Sequence, residues 1–270
     1  MVWNDTRVAR KLGQISVAIV CVWLLTIAPV RAGSGDSLSD RIASFPAWMS
    51  RPTLGDTRQD LAYPDWMAGT WHVTSTLTAM EAPLAPDILT PGYEGNRSYL
   101  DRPLEFDVRF AAARPQLRGN LPFGALGKPP IVADRQFNGE QILKAYVGDR
   151  ADLRVRVEPD NPNQQATILP DGRQLLAVVT ARGSETVGDR DFIGSELVTQ
   201  FFRTQPEIYL NTVETTTVYH QQTGDRITAD QFTAVYLSPK DPDYFTAGDR
   251  PVALYRYDLR LDRLEVGNVQ

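Results

Sequence analysis

Apolar and polar residues alternate along most of the chain that follows Gly69. In the stretch WHVTSTLT (71–78), tryptophan, valine and leucine fall on one side, and histidine and threonine fall on the other. The same period of two recurs in LEFDVRF (104–110) and in LRVRV (153–157). This pattern is typical of β-strands that bury one face and leave the other polar.

Five further stretches later in the chain predict strands. They are rich in Val, Thr, Tyr and Phe, which fit a pleated surface. These stretches are QLLAVVTA (174–181), ELVTQFFR (196–203), EIYLNTVETTTVYHQ (207–221), ITADQFTAVYL (227–237) and PVALYRYDLRL (251–261). The tripeptide Gly-Asp-Arg, which suits turns, occurs at 148–150, 188–190, 224–226 and 248–250. About eight strands joined by turns, each with one apolar face, predict an all-β fold, an antiparallel up-and-down β-barrel.

Two short helices are predicted outside these strands. Apolar residues recur at spacings of three and four in SLSDRIASFPAWM (37–49). The segment FNGEQILKAYVG (137–148) has an apolar helical face, with Asn138 as its expected N-cap. The expected organisation is an N-terminal extension with a short helix at 33–62 and a single β-barrel domain at 63–270, with insertions at 80–103 and 113–150.

The first 32 residues have the layout of a secretory signal peptide. Basic residues precede the apolar run ISVAIVCVWLLTIAPV (15–30), and the small residue Ala32 comes before the expected cleavage point. A run of about 16 residues is shorter than the roughly 20 that span a bilayer. We therefore expect residues 1–32 to be cleaved, which leaves no membrane span; a retained anchor is the alternative.

Cleavage would also change the composition of the mature chain. Cys21 is the only cysteine, so the mature protein would have no disulfide, no thiolate metal site and no cysteine nucleophile. Of 33 acidic and 28 basic residues, one acid and four bases precede residue 33, which leaves 32 and 24 and a net charge of −8. An acidic exported domain is a poor candidate for binding nucleic acid or an anionic membrane surface.

The motif Gly69-Thr70-Trp71 opens the first predicted strand. Glycine lets the chain approach closely, and the indole would lie across the floor of a barrel. The motif resembles the start of the first strand in the lipocalin or calycin superfamily. That resemblance implies a basic side chain from the last strand stacked on the tryptophan, for which Arg256 and Arg260 are the candidates. The second lipocalin signature, a Thr-Asp-Tyr-like turn, is not recognisable.

Longer segments resemble a family of uncharacterised proteins shared by cyanobacteria and plant plastids. They are FPAWMSRP, YPDWMAGTW, APLAPDILTPGYEGNRSYL, IVADRQFN, DPDYF and RPVALYRY. The resemblance covers nearly the whole mature chain. The family is a domain of unknown function, so it implies origin and compartment and no activity. A signal peptide in a cyanobacterium leads to the periplasm or the thylakoid lumen, which is the expected location.

Two aromatic-proline motifs precede the first strand, at 45–48 (FPAW) and 63–66 (YPDW). Each would dock an aromatic pair while proline stiffens the chain between. We favour packing on the outside or the floor of the barrel, because large aromatic side chains usually stabilise cores. The alternative is that the Trp48 and Trp66 segments bind a protein partner.

The connection between the first two strands is long and carries four prolines among apolar residues (80–103). Loops of this length are often lids or binding loops. In lipocalins the corresponding loop covers the barrel mouth, so the resemblance implies a lid; a flap packed on the outside is the alternative. The candidate ligand-binding residues of this loop are Leu84, Ile88, Leu89, Tyr93, Tyr99 and Leu100.

Few residues indicate catalysis. There are two histidines: His72 is expected to point outward, and the face of His220 is open, with an ordinary strand position favoured over a haem or metal ligand. Nucleotide-binding, serine-hydrolase and zinc-protease motifs are absent from the sequence, and we expect no cofactor and no metal. Glu214, in TVETTTV, either faces solvent or is an inward acid that binds a polar head group.

Three functions follow, in order of preference. The first is a lipocalin-like protein that binds an apolar small molecule, such as a lipid, a carotenoid or a tetrapyrrole. The second is a non-enzymatic assembly or interaction factor whose barrel is filled by its own side chains. The third, an enzyme like a phycobilin lyase, is disfavoured by export and by the lack of a mature cysteine. A filled and a hollow barrel have the same alternation, so the pattern does not separate the first two.

Overall fold

The computed structural model of the protein describes most of the chain after the predicted signal peptide. The described residues are 37–57, 60–113, 128–148, 154–158, 161–169, 172–204 and 207–265. The predicted signal peptide (1–32) and much of the second predicted insertion (114–127) lie outside the described residues.

Ten antiparallel strands form one curled sheet, a half-barrel with up-and-down connections. The strands are β1 (Gly69–Glu81), β2 (Pro103–Ala112), β3 (Ile131–Ala133), β4 (Arg154–Glu158), β5 (Asn161–Ile168), β6 (Gln174–Val187), β7 (Asp191–Thr204), β8 (Glu207–Gln221), β9 (Arg226–Leu237) and β10 (Ala253–Arg263). Their order across the sheet is β3-β2-β1-β10-β9-β8-β7-β6-β5-β4. The predicted fold class is confirmed. The pattern missed β3 and β5.

Four α-helices accompany the sheet in the described residues: α1 (Leu38–Ala43), α2 (Tyr93–Asn96), α3 (Arg135–Val147) and α4 (Tyr244–Ala247). Helix α3 starts before its predicted position. Its N-cap is Asp134, whose side chain accepts a hydrogen bond from the backbone N–H of Phe137 at 3.1 Å. The predicted cap, Asn138, is wrong, because this residue lies inside the first turn.

Asn138 instead continues the hydrogen-bond ladder of β2. Its Oδ1 accepts from the backbone N–H of Arg109 at 2.7 Å, and its Nδ2 donates to the carbonyl of Arg109 at 3.2 Å. These bonds provide partners for the backbone groups of Arg109, which lies just outside the part of β2 that pairs with the short strand β3. Helix α3 also packs against β4, at the other end of the sheet. The helix therefore bridges the two edges of the half-barrel.

The concave face of the sheet carries the main core. Tyr63, which precedes β1, contacts three strands from inside: its ring centroid lies 4.6 Å from Phe110 on β2, 5.5 Å from Phe192 on β7 and 6.2 Å from Tyr219 on β8. These strands are far apart in the sheet order, so the sheet curls around a common interior. The convex face is covered in part by residues 37–57, which include α1.

Trp71 closes one end of this interior, which we call the floor. Its side chain is fully buried, and the indole N–H donates to the carbonyl of Met67 at 2.8 Å. The guanidinium carbon of Arg263 lies 4.1 Å from the tryptophan ring centroid, a cation–π contact. Arg263 also donates to the carbonyls of Ala68 at 2.5 Å and Trp66 at 3.0 Å. The floor thus ties the end of β10 to the chain that enters β1.

The basic partner of the tryptophan is Arg263, and the expectation of Arg256 or Arg260 is wrong. Both of those side chains lie on the convex face. Arg256 pairs with Asp230 at 2.5 Å, and Arg260 pairs with Asp262 at 2.8 Å. The predicted last strand stopped two residues short of Arg263, and alternation places Arg263 on the opposite face from the other two.

Gly69→Ala tests the close approach at the floor. Gly69 has a φ of 129°, and a β-carbon there would overlap the guanidinium of Arg263. We expect the free energy of unfolding, measured in urea, to fall by about 2–3 kcal/mol. Gly188→Ala is the matched control, because Gly188 has a φ of 65° and open space around the position of a β-carbon. An equal loss in both variants would contradict a specific role for the Gly69–Arg263 approach.

Candidate functional site

The connection between β1 and β2 crosses the mouth of the interior, at the end opposite the floor. We call residues 82–102 the lid loop. Three contacts hold it over the strands and α3: Thr90 Oγ1 lies 3.4 Å from the Tyr209 hydroxyl on β8, the ring of Tyr93 lies 6.1 Å from that of Tyr255 on β10, and the ring of Tyr99 lies 5.5 Å from that of Tyr146 on α3. Tyr255 is near the start of β10 and Arg263 at its end, so lid and floor close opposite ends.

The candidate ligand-binding residues of the loop have different positions. Ile88 and Tyr93 are buried in the main core. Leu84, Tyr99 and Leu100 are half-buried and pack against it. Leu89 is 46% exposed and points away from the interior. The loop therefore presents several of the predicted side chains to the interior and leaves one of them in solvent.

Beneath the lid loop, the concave face of β7, β8 and β9 is polar. Residues that oppose each other across antiparallel strands share a face. Gln200 opposes Asn211, and Thr215 lies between Glu196 and Thr233. We call the full set the polar wall. It consists of Glu196 and Gln200 on β7, Asn211, Thr215 and Thr217 on β8, and Gln231 and Thr233 on β9, none of them more than 5% exposed.

Several atoms of the polar wall have no hydrogen-bond partner in the described protein. They are both amide atoms of Gln200, Oδ1 of Asn211, the hydroxyls of Thr215 and Thr233, and Oε2 of Glu196. A buried polar group without a partner costs about 1–3 kcal/mol. Apolar side chains would fill the same space without that cost. The polar wall is therefore a place in the interior that can accommodate a hydrogen-bonding partner, such as ordered water or a ligand.

Glu196 joins the polar wall to an ion cluster. Its Oε1 lies 3.1 Å from Nη2 of Arg135 on α3 and 3.0 Å from Nη2 of Arg182 on β6. Both guanidinium groups also lie within 3.7 Å of Asp60. Burial lowers the pKa of Arg182, and the carboxylate of Glu196 offsets this only in part. The cluster contains two acids and two bases, so its formal charges balance inside the protein.

Glu214 neither faces solvent nor reaches the interior, so both predicted positions are wrong. It is fully buried on the convex face of β8. Arg41 of α1 donates to both of its oxygens, at 2.5 and 2.6 Å, and the Tyr236 hydroxyl donates to Oε2 at 2.7 Å. Burial, together with the charge of Glu214, raises the pKa of Tyr236. Glu214 anchors the N-terminal segment to the sheet.

The two aromatic-proline motifs dock on opposite faces of the sheet. Trp48 is 3% exposed and packs on the convex face, with ring centroids 5.4 Å from Phe45 and 6.4 Å from Phe232. Tyr63 of the second motif lies in the interior. Met49, which follows Trp48, is 69% exposed. A partner that bound the first motif would contact Met49 before the tryptophan.

The histidines lie on the convex face, each beside an aspartate. Nδ1 of His72 is 2.9 Å from Asp107, and Nδ1 of His220 is 3.0 Å from Asp191. In the part of the chain that the structure describes, no group of three or more His, Cys, Asp or Glu residues could hold a metal ion. Among the helices of those residues, none is both long and apolar enough to cross a membrane.

A cleft of about 440 Å³ opens on the convex face beside α1. It is lined by apolar and polar side chains: Ser39, Ile42, Phe45, Val187, Asp191, Ile193, Val218, His220, Asp230, Phe232 and Arg256. This convex cleft is separated from the polar wall by the sheet itself. It is a second surface that could contact another molecule.

Sequence reasoning missed the polar wall, although a signal was present. Threonine fills both phases of TVETTTV (212–218), so alternation there does not show which side faces inward. Gln200 and Gln231 share their phase with apolar residues of their strands. A polar residue at a position where alternation predicts an apolar, inward-facing side chain was the feature that could have located the wall.

Arg41→Met tests the anchor on the convex face. Removing Arg41 leaves Glu214 buried without its counter-charge, and we expect the free energy of unfolding to fall by about 3–5 kcal/mol. The double variant Arg41→Met with Glu214→Gln should recover most of this loss, because no unpaired charge remains. Urea unfolding monitored by tryptophan fluorescence measures both.

Arg97→Met is the control for this anchor, since the Arg97–Glu94 pair is exposed and its loss should change stability little. A double variant no more stable than Arg41→Met alone would contradict the assignment of Glu214 as the anchor.

Comparison with known proteins places the chain in a family. Neither a curated protein nor a solved structure matches it. A family model described as a domain of unknown function, DUF6816, matches residues 55–265, which include all ten strands and leave out α1. The match covers more than half of the chain, which therefore belongs to the DUF6816 family.

Proposed function

We propose that the protein binds a small amphipathic molecule inside the half-barrel. The observation that carries this proposal is the set of buried, unpartnered polar atoms on the polar wall. Apolar side chains next to it, such as Phe202, Leu237 and Ile88, suit the apolar part of a ligand. The ligand class is therefore a lipid-like or pigment-like molecule with a polar end, rather than a wholly apolar one.

The free-energy cost of the unpartnered atoms favours ligand binding over a barrel that is filled only by its own side chains. The five unpartnered amide and hydroxyl atoms, at about 1 kcal/mol or more each, amount to about 5 kcal/mol. That is comparable with the net stability of many domains. A ligand that hydrogen-bonds to the wall offsets this cost, whereas the side chains of a filled barrel do not.

Entry to the interior requires the lid loop to move. The wall is closed to solvent, with Gln200 and Thr233 both fully buried. The lid loop is tied to β8 by a long hydrogen bond between the hydroxyls of Thr90 and Tyr209, at 3.4 Å. Most other contacts of the loop with the interior are apolar, from aromatic rings and from aliphatic side chains such as Ile88, and these can separate without breaking hydrogen bonds. Near its end the loop keeps a backbone hydrogen bond from Asp101 to the carbonyl of Leu77 at 2.9 Å. The lid loop is therefore the element we expect to open.

The proposal includes the location and origin of the protein. We place it in the periplasm or the thylakoid lumen of cyanobacteria or their plastid descendants, on the basis of the signal-like sequence and the family resemblance. The Trp71–Arg263 stack supports a distant relation to lipocalins, in which a basic side chain covers the same tryptophan.

The first test is direct. Folded protein purified from cells of its native kind is extracted with organic solvent, and the extract is analysed by absorption and mass spectrometry. We expect one compound in stoichiometric amount, with an apolar body and a polar end. A clean extract from folded protein would contradict the proposal.

Thr215→Val tests whether the wall serves a ligand. The change keeps the size of the side chain and removes a buried, unpartnered hydroxyl, so we expect the ligand-free protein to gain about 1 kcal/mol of unfolding free energy. The same variant should retain less of the compound found in the extract. Thr212→Val, on the same strand but the other face, is the matched control. A Thr215→Val protein that loses stability and keeps the compound would show that the hydroxyl is structural.

A second candidate function is that of an interaction factor, and the convex cleft is the observation that favours it. The apolar side chains that line the cleft would contact a side chain of the partner. Val218→Arg places a charge in the cleft without touching the polar wall. Loss of a partner that wild-type protein retains, with Thr215→Val retaining it, would favour this function over ligand binding.

A further inference from the structure

We infer that the polar end of the ligand is an uncharged, hydroxyl-rich group, such as the sugar head of a glycolipid. This inference rests on the proposed function and names the ligand class of the same site. It follows from the chemistry of the unpartnered atoms, from the balance of charge around them and from their arrangement in rows along the sheet.

The unpartnered atoms offer both donors and acceptors, and none of those on amides or hydroxyls carries a charge. Gln200 has one donor group and one acceptor free, Asn211 has an acceptor free, and the hydroxyls of Thr215 and Thr233 can each donate and accept. A ligand hydroxyl likewise donates and accepts. A head group with several hydroxyls therefore satisfies the amide and hydroxyl atoms of this set, whereas a group that only accepts leaves the acceptors of Gln200 and Asn211 unmatched.

A charged head group is disfavoured by the ions already in the interior. Glu196 and Asp60 face Arg135 and Arg182, so the cluster is neutral as a whole. Adding a phosphate, carboxylate or ammonium would bury a charge without a counter-ion, and the penalty for such a charge is several kcal/mol. Because the cluster is already neutral, the site disfavours ligands with a charged head group. A tetrapyrrole with free carboxylates is disfavoured for the same reason.

Opposing residues on β7 and β8 form rows across the polar wall, and the spacing of these rows indicates how long the site is. Moving away from the lid, an aromatic row (Phe202 and Tyr209) is followed by the amide row of Gln200 and Asn211 and, two rows further, by the row of Thr215. The amide and threonine rows are four residues apart on β7, about 13 Å. A single sugar ring is shorter than that distance. Two linked rings, or one ring with its glyceryl linkage, would reach both rows.

The aromatic row supplies the surface that a sugar ring needs beside its hydroxyls. The rings of Phe202 and Tyr209 lie 5.9 Å apart, directly next to the amide row on the same face. The C–H face of a sugar is apolar and packs on such rings, while its hydroxyls bond to amides. Together the two rows provide both kinds of contact at the mouth of the interior, under the lid loop.

The test compares lipids that share their acyl chains and differ in the head. Delipidated full-length mature protein is titrated with four lipids in mixed micelles: a diglycosyl diacylglycerol, the parent diacylglycerol, phosphatidylglycerol and phosphatidylcholine. Binding is followed by native mass spectrometry and by the shift in melting temperature. We expect the diglycosyl lipid to bind about tenfold or more tightly than either phospholipid, since one matched hydrogen-bond set is worth about that factor.

Variants separate the head group from the rest of the ligand. Gln200→Leu should lower the affinity for the diglycosyl lipid by about tenfold and change that for diacylglycerol by less than about twofold. Thr212→Val, on the convex face, should change neither. If Gln200→Leu fails to fold, Thr233→Val provides the same comparison with a smaller change of shape.

Each outcome decides the inference. A preference for the diglycosyl lipid that Gln200→Leu removes supports it. Equal or tighter binding of a phospholipid overturns it and leaves the proposed function standing. No binding by any of the four lipids also overturns it. The proposed function is judged separately by the solvent extract of native protein, which fails only if it is empty.

Discussion

Helix α3 holds the two edges of an open sheet together, and the closed interior depends on that bridge. A sheet whose strand order ends at β3 on one side and β4 on the other leaves unpaired backbone groups and an open side. Asn138 satisfies the exposed backbone of β2, and Gly139 lets the helix come within contact of Val155 on β4. Arg135 at the start of the helix then reaches Glu196 on β7. The interior is enclosed because one helix meets the sheet at three places.

Two fully buried glutamates on adjacent strands have matching roles on opposite faces. Glu196 points inward and binds Arg135 of α3, while Glu214 points outward and binds Arg41 of α1. A buried ion pair adds little net stability but is costly to break, so it determines where a segment docks more than how stable the fold is. Each pair therefore fixes the position of one segment that the sheet ladder does not hold.

The two ends of the interior differ in how firmly they are closed. The floor combines a buried indole, a stacked guanidinium and hydrogen bonds from Arg263 to the carbonyls of Trp66 and Ala68. The lid loop rests mainly on apolar packing, by Tyr93 and Ile88 among others. The unpartnered amides of the polar wall lie nearer the lid than the floor, since Gln200 and Asn211 follow directly below the contact of the lid with Tyr209. The proposed binding function needs this difference, because one end of the interior would stay closed and the other would open for the ligand.

The sequence by itself determined the strands and the all-β, up-and-down architecture, because a period of two and turn residues are local properties of the chain. It also pointed to Trp71 as the floor and to the loop that became the lid. It did not determine the partner of Trp71. The three candidate arginines, Arg256, Arg260 and Arg263, differ only in the face of β10 on which alternation places them, and the predicted end of this strand came before Arg263. It did not determine the polar wall either, because Thr215 and Thr216 are identical in type and face opposite ways. Only the tertiary structure decided these points: the face that a side chain occupies, and the segment that covers it, depend on residues far away in the chain, as Glu214 shows by pairing with Arg41 instead of solvent.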